Sequence, residues 1–147
     1  MRRWFAPTAP RRRNTLFETF HTRADIVMVG DSLTEAAEWH DRLPGKSIAN
    51  RGIRGDRTDD SLQRMDAILA VGARRAFVMV GFNDFALNQP VAVAFENYGK
   101  IVDRLTEQKI DVYIQSTIEC SRAVCGGILD DIRALNELLR AHAGEGA

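Results

Sequence analysis

Long apolar runs, net charge and cysteine are all scarce in this chain of 147 residues, and each absence removes a class of function. No stretch approaches the ~20 consecutive apolar residues of a membrane span, so no membrane partner is expected. Twenty Lys and Arg balance twenty Asp and Glu, which leaves no global field to draw the protein to nucleic acid or a membrane surface. The five arginines Arg2, Arg3, Arg11, Arg12 and Arg13 are interrupted by Pro7 and Pro10. No apolar run of roughly 7–15 residues follows them, so they are not a secretory signal, and residues 1–13 read as a basic, flexible, solvated arm. The only cysteines, Cys120 and Cys125, give neither a disulfide framework nor metal-ligand spacing. They read as two thiols near one loop, in keeping with a reducing, cytoplasmic setting. No G-x-G-x-x-G or Walker A segment stands at a strand end, which argues against a nucleotide binder. No metal and no organic cofactor is expected.

What is present is an alternation of strands and helices in a chain long enough for one domain with one core. Asp25-Ile26-Val27-Met28-Val29 is a β-branched apolar run ending at Gly30, the pattern of a strand buried on both faces. Ser47-Ile48-Ala49 is a weaker second strand. Ala76-Phe77-Val78-Met79-Val80, ending at Gly81, is the clearest of all, and Ile110-Asp111-Val112-Tyr113-Ile114 makes a fourth. Thr58 or Asp59 can cap a helix with Leu62, Met65, Ile68 and Leu69 on its apolar face. Pro90 opens a second helix, with Val91, Phe95, Tyr98, Val102 and Leu105 at helical spacing. A last helix carries Ile128, Ile132, Leu135 and Leu139, and a short one near Leu16 to Phe20 packs outside the sheet. Strands separated by helices of this length imply right-handed crossovers and a parallel sheet.

Ligands of such sheets bind beyond the carboxyl ends of the strands. There the sequence places Gly30-Asp31-Ser32-Leu33-Thr34-Glu35, then Asn50-Arg51-Gly52-Ile53-Arg54-Gly55-Asp56, then Gly81-Phe82-Asn83-Asp84. Small and polar residues from three separate segments thus collect at one rim. Taken singly, each has a plain structural use. Ser32 suits a helix N-cap, Gly52 and Gly55 suit loops that need positive φ or close backbone approach, and Asn83 suits a turn. A serine at a strand-to-helix turn also directs its hydroxyl from the rim, beside backbone N–H groups able to receive an anion.

In this order the three segments resemble the blocks of the SGNH, or GDSL-type, hydrolase family, within it the platelet-activating-factor acetylhydrolase-like and bacterial acyl esterases. The resemblance covers most of residues 24–120. It implies a three-layer α/β/α, flavodoxin-like sheet of strand order 2-1-3-4 and a serine ester hydrolase acting on short acyl or acetyl esters. It further implies that Ser32 is the nucleophile, and that the N–H groups of Ser32 and Gly55 with the side-chain amide of Asn83 form the oxyanion hole. Asp31 and Asp84 read as structural groups that bond loop backbone.

The family also carries an Asp-x-x-His motif after a fifth strand, and neither strand nor motif follows the last helix here. His21 precedes the first strand and belongs at the opposite end of the sheet. His40 lies about eight residues into the helix after Ser32, roughly 12 Å along its axis. His142 falls on the apolar stripe of the last helix. All three read as surface or packing histidines, so the identity of the catalytic His and Asp stays unknown. The expectation is therefore a C-terminally truncated single domain over residues 1–147, weak or inactive as an esterase. The fourth strand would be a bare sheet edge, which invites homo-oligomerisation. The alternative is a non-catalytic binding or self-assembling module derived from such a hydrolase.

Overall fold

The computed structural model describes residues 9–20 and 22–144. In chain order its elements are α1 (Ala9–Thr19), β1 (Ile26–Gly30), α2 (Ser32–Ala36), α3 (Trp39–Arg42), β2 (Ile48–Gly52), α4 (Thr58–Gln63), α5 (Met65–Leu69), β3 (Arg75–Met79), α6 (Phe82–Ala86), α7 (Val91–Glu107), β4 (Asp111–Ile114), α8 (Arg122–Cys125) and α9 (Ile128–Gly144). The four strands form one sheet in the order β2-β1-β3-β4, and every neighbouring pair is parallel. β1 is central and buried at all five positions, which is why its sequence is continuously apolar rather than alternating.

Register is what builds the rim. Gly30 at the end of β1 stands level with Gly52 of β2 and Met79 of β3. The loops that leave these three strands therefore start side by side.

The two faces of the sheet are covered unequally. Val27, Val29, Ala76 and Val78 join Met65, Ile68, Tyr98, Ile101, Leu105, Ile132 and Leu135 in the main core, where α5, α7 and α9 lie over the strands. The buried positions of α7 (Ala94, Tyr98, Ile101, Val102, Leu105) recur at helical spacing. On the opposite face a smaller cluster of Ile26, Met28 and Ile48 is closed by Trp39 and Phe77. Beyond it Tyr113 stacks on Phe77 with ring centroids 4.7 Å apart and remains 46% exposed. Asp111 N–H and Gln115 N–H donate back to Arg74 O and Val78 O, each at 2.9 Å. Alternation then turns the backbone groups of Val112 and Ile114 outward. Among the described residues no strand pairs with that outer edge.

Several local expectations are corrected. The basic arm was expected to reach residue 13, but α1 starts at Ala9 and Arg13 Nε donates to Gly52 O at 2.8 Å; residues 1–8 lie outside the described residues. The helix after Ser32 ends at Ala36, because Ala37 is extended. His40 accordingly sits in the separate α3, not two turns along the same helix. Thr58 is not a cap but the first residue of α4, and the helical run to Leu69 breaks at Arg64. Cys120 and Cys125 are not two free thiols: they form a disulfide with Cα atoms 6.0 Å apart, within the usual span of about 4.4–6.8 Å. The ground for expecting a reducing compartment goes with that correction. His21 lies outside the described residues.

Candidate active site

The nucleophile turn is set by Gly30, Asp31 and Thr34. A Cβ on Gly30 would stand 2.2 Å from Thr34 Oγ1 and 2.4 Å from Met79 O, so only glycine allows β1 to turn this tightly into α2. The N-cap of α2 is Asp31, whose Oδ1 accepts the Leu33 N–H at 3.0 Å. Ser32 is the next residue, the first of the helix. Its hydroxyl is therefore not spent on the cap, which removes the plain structural reading of this serine.

The second loop is bolted to the first. Asn50 Nδ2 donates to Thr34 O and Glu35 O at 2.9 and 3.0 Å, while its Oδ1 accepts Gly52 N–H at 2.9 Å. A Cβ on Gly52 would meet Glu35 N at 2.3 Å, so β2 and α2 touch backbone to backbone. Ile53 N–H donates to Gly30 O at 3.0 Å, and Asp56 N–H closes a turn onto Ile53 O at 3.1 Å. Gly55 occupies the third position of that turn with φ +84°, the left-handed geometry a type II turn requires there. Nothing lies within 4 Å of where its Cβ would be, so conformation, not space, selects glycine. The Glu35 carboxylate accepts the Arg54 N–H and holds the turn against α2.

Asn83 completes the set from α6. Its Nδ2 donates to Asp56 O at 2.9 Å, one residue beyond Gly55. An amide nitrogen carries two hydrogens, so one N–H is fixed on the loop and the second remains for a ligand. Asp84 does the structural work expected of it: its carboxylate accepts Thr58 N–H at 3.0 Å and Thr58 Oγ1–H at 2.6 Å. Burial pushes the Asp84 carboxyl above its ordinary value, against the opposing pull of those Thr58 bonds. Ser32 and Asn83 line one cavity of about 290 Å³ together with Asp31, Leu33, Phe82, Ile118 and Cys120. Gly55 is not in that lining; it is linked to it through Asp56 and Asn83.

Residues 28–147 match the GDSL-like lipase/acylhydrolase family. The chain belongs to that family. Solved structures agree in fold. A GDSL-like lipase from Bacteroides thetaiotaomicron is 20% identical at a TM-score of 0.78, over 94% of this chain and 74% of its own. A Streptococcus pneumonia protein named for platelet activating factor is 23% identical at a TM-score of 0.73, over 90% of this chain and 68% of its own. The SGNH-hydrolase family esterase AlinE4 is 21% identical at 0.68, over 84% and 74%. No curated protein matches.

Within this GDSL-type rim, Arg64 is the residue that sequence reading missed. Its Nε donates to Asp56 Oδ2 at 2.6 Å and its Nη2 to Gly30 O at 3.3 Å. One guanidinium thus joins the end of β1, just before Ser32, to the loop of Gly55, which in turn holds Asn83. The side chains of Arg64 and Asp56 are 4% and 9% exposed. Burial raises the Asp56 carboxyl to about 6 against the pull of Arg64, and burial lowers the Arg64 guanidinium against the pull of Asp56. The local sequence Leu62-Gln63-Arg64-Met65-Asp66 gives no signal for that role. Of the described histidines, His40 is exposed and His142 stands edge-on to Phe95 with ring centroids 6.1 Å apart. Neither lines the cavity of Ser32.

Proposed function

We propose that this member of the GDSL family is a serine ester hydrolase for short acyl or acetyl esters, with Ser32 as nucleophile. The observation that carries the reading is that Ser32, with its hydroxyl free of the cap, shares a cavity with Asn83, whose amide is fixed to the Gly55 loop. Attack by Ser32 Oγ on an ester carbonyl moves negative charge onto the carbonyl oxygen. The N–H groups of Ser32 and Gly55 and the remaining N–H of Asn83 stabilise that oxygen. Loss of one such donor typically costs ~2.7–4 kcal/mol of transition-state stabilisation. An amide suits the role because it donates without carrying charge. Asp31 is a poor base for the serine proton, being engaged as the cap of α2. Hydrolysis of p-nitrophenyl acetate tests the reading: the wild-type chain should exceed Ser32→Ala, and equal rates would end it.

A second reading, a non-catalytic self-assembling module, is favoured by the outer edge of β4 with Tyr113 exposed beside it. Unpaired strand edges template association. Sedimentation velocity decides it: this reading expects dimers or larger species through β4, and a monomer at high concentration would remove it.

A further inference from the structure

The lining of the Ser32 cavity that lies outside the three blocks comes from the connection between β4 and α9, through Ile118 and Cys120. That connection is fixed at two buried points. Thr117 N–H donates to Asn136 Oδ1 at 2.8 Å and Asn136 Nδ2 donates to Thr117 O at 2.9 Å. The other point is the disulfide from Cys120 to Cys125, the latter buried at the end of α8. Between them the side-chain ties are the exposed pairs Arg133–Glu119 and Arg122–Asp130, and exposed ion pairs hold little. Ser121 O is held on α8 by the N–H groups of Val124 and Cys125 at 2.9 Å each, so the disulfide is the one covalent restraint on the stretch Ile118–Cys120 before it.

Of the apolar residues lining the cavity, Leu33, Phe82, Ile118 and Cys120, that segment supplies the last two. Leu33 and Ile118 are 48% and 53% exposed, and both line the cavity with Phe82 and Cys120. Exposed apolar groups gathered at a concave site mark a binding surface. The cavity of about 290 Å³ is roughly twice the ~150 Å³ that accommodates a benzene ring, space for an acyl chain of a few carbons.

We propose that Ile118 and the Cys120–Cys125 disulfide form the wall that selects the acyl group, so that the thiol–disulfide state of this pair sets the chain length admitted beside Ser32. The proposal rests on the ester-hydrolase reading for its substrate, though not for its geometry. Opening the link needs a dithiol: two thiols of the reductant become a disulfide, and Cys120 and Cys125 take up the two electrons and two protons as thiols.

The test compares oxidised protein, protein reduced by dithiothreitol, and Cys125→Ser, which breaks the tether while leaving the Cys120 side chain in the wall. Rates on p-nitrophenyl acetate and p-nitrophenyl octanoate give the chain-length preference. The octanoate-to-acetate ratio should rise at least fivefold on reduction and equally in Cys125→Ser, and dithiothreitol should leave the ratio of Cys125→Ser unchanged. Binding of acetate and octanoate anions, followed by NMR at the Ser32 and Asn83 amides, repeats the comparison without turnover. If Ser32→Ala hydrolyses as fast as wild type, the hydrolase reading fails and the binding arm alone judges the wall. An unchanged octanoate-to-acetate preference in both arms overturns the proposal, as does mass analysis showing no Cys120–Cys125 link in air-oxidised protein.

Discussion

Replacing Arg64 by Met removes the guanidinium that joins the Ser32 turn to the Gly55 loop while keeping a comparable apolar stem. Asp56 then loses its 2.6 Å partner in a site where its side chain is only 9% exposed. Breaking a buried pair by removing one member costs about 3–5 kcal/mol, because the other charge is left uncompensated. At 147 residues this corresponds to a drop in Tm of roughly 6–20 °C. The cost is pH-dependent. Burial already holds the Asp56 carboxyl at about 6 beside its cation, and without the cation it rises further and takes a proton. At pH 8 the variant must bury a bare carboxylate or protonate it against the solvent; at pH 5 the carboxyl is neutral at little cost. Urea denaturation of wild type and Arg64→Met at the two pH values measures both effects, and Asp56→Asn combined with Arg64→Met should recover much of the loss. A destabilisation under 1 kcal/mol at pH 8, or the same value at pH 5, would refute the reasoning.

Three further outcomes follow from the same rim. Gly52→Ala drives a Cβ to 2.3 Å from Glu35 N, a backbone clash, and should cost at least the ~1–3 kcal/mol of an overpacked core, read by thermal unfolding. Asp84→Ala removes the two bonds that its carboxylate accepts from the fully buried Thr58, whose Oγ1 keeps only the Asn97 Nδ2 donor at 3.2 Å, and should cost about 1–3 kcal/mol, read by urea denaturation. Asp56 should titrate near pH 6 by carboxyl NMR. Because its folded value lies above the unfolded 3.8, the folded state holds the extra proton between these pH values, and this group's contribution to stability falls as pH rises from about 4 to 6. A titration midpoint below 4.5 would contradict the burial argument.

The strands and the rim were legible because each leaves a local mark. The apolar run Ile26–Val29, stopped by Gly30, reads as a central strand, and the small and polar residues that follow three parallel strands gather at one edge. Helix lengths were harder to read. Nothing local in Ala36-Ala37-Glu38 announces that α2 stops after five residues; the stop lets Trp39 fold back, its Nε1 donating to Thr34 O at 2.9 Å. Arg64 was invisible for a related reason: its partners, Asp56 and Gly30 O, are brought to it by tertiary packing, not by spacing. Cys120 and Cys125 were misread because five residues of separation say little until the loop that α8 closes is known. Asn83 was placed correctly at the rim, but its bond to Asp56 O, which ties it to Gly55, depends on a register that only the folded sheet supplies.

The most direct measurement is the rate at which an alkyl fluorophosphonate labels Ser32, followed by peptide mass analysis in wild type and Asn83→Ala. The charged phosphonyl oxygen formed on attack needs the same donors as an ester's carbonyl oxygen. Labelling confined to Ser32, and slowed ~10²–10³-fold without the Asn83 amide, is the predicted result. Equal rates in the two proteins, or label on another residue, would contradict it.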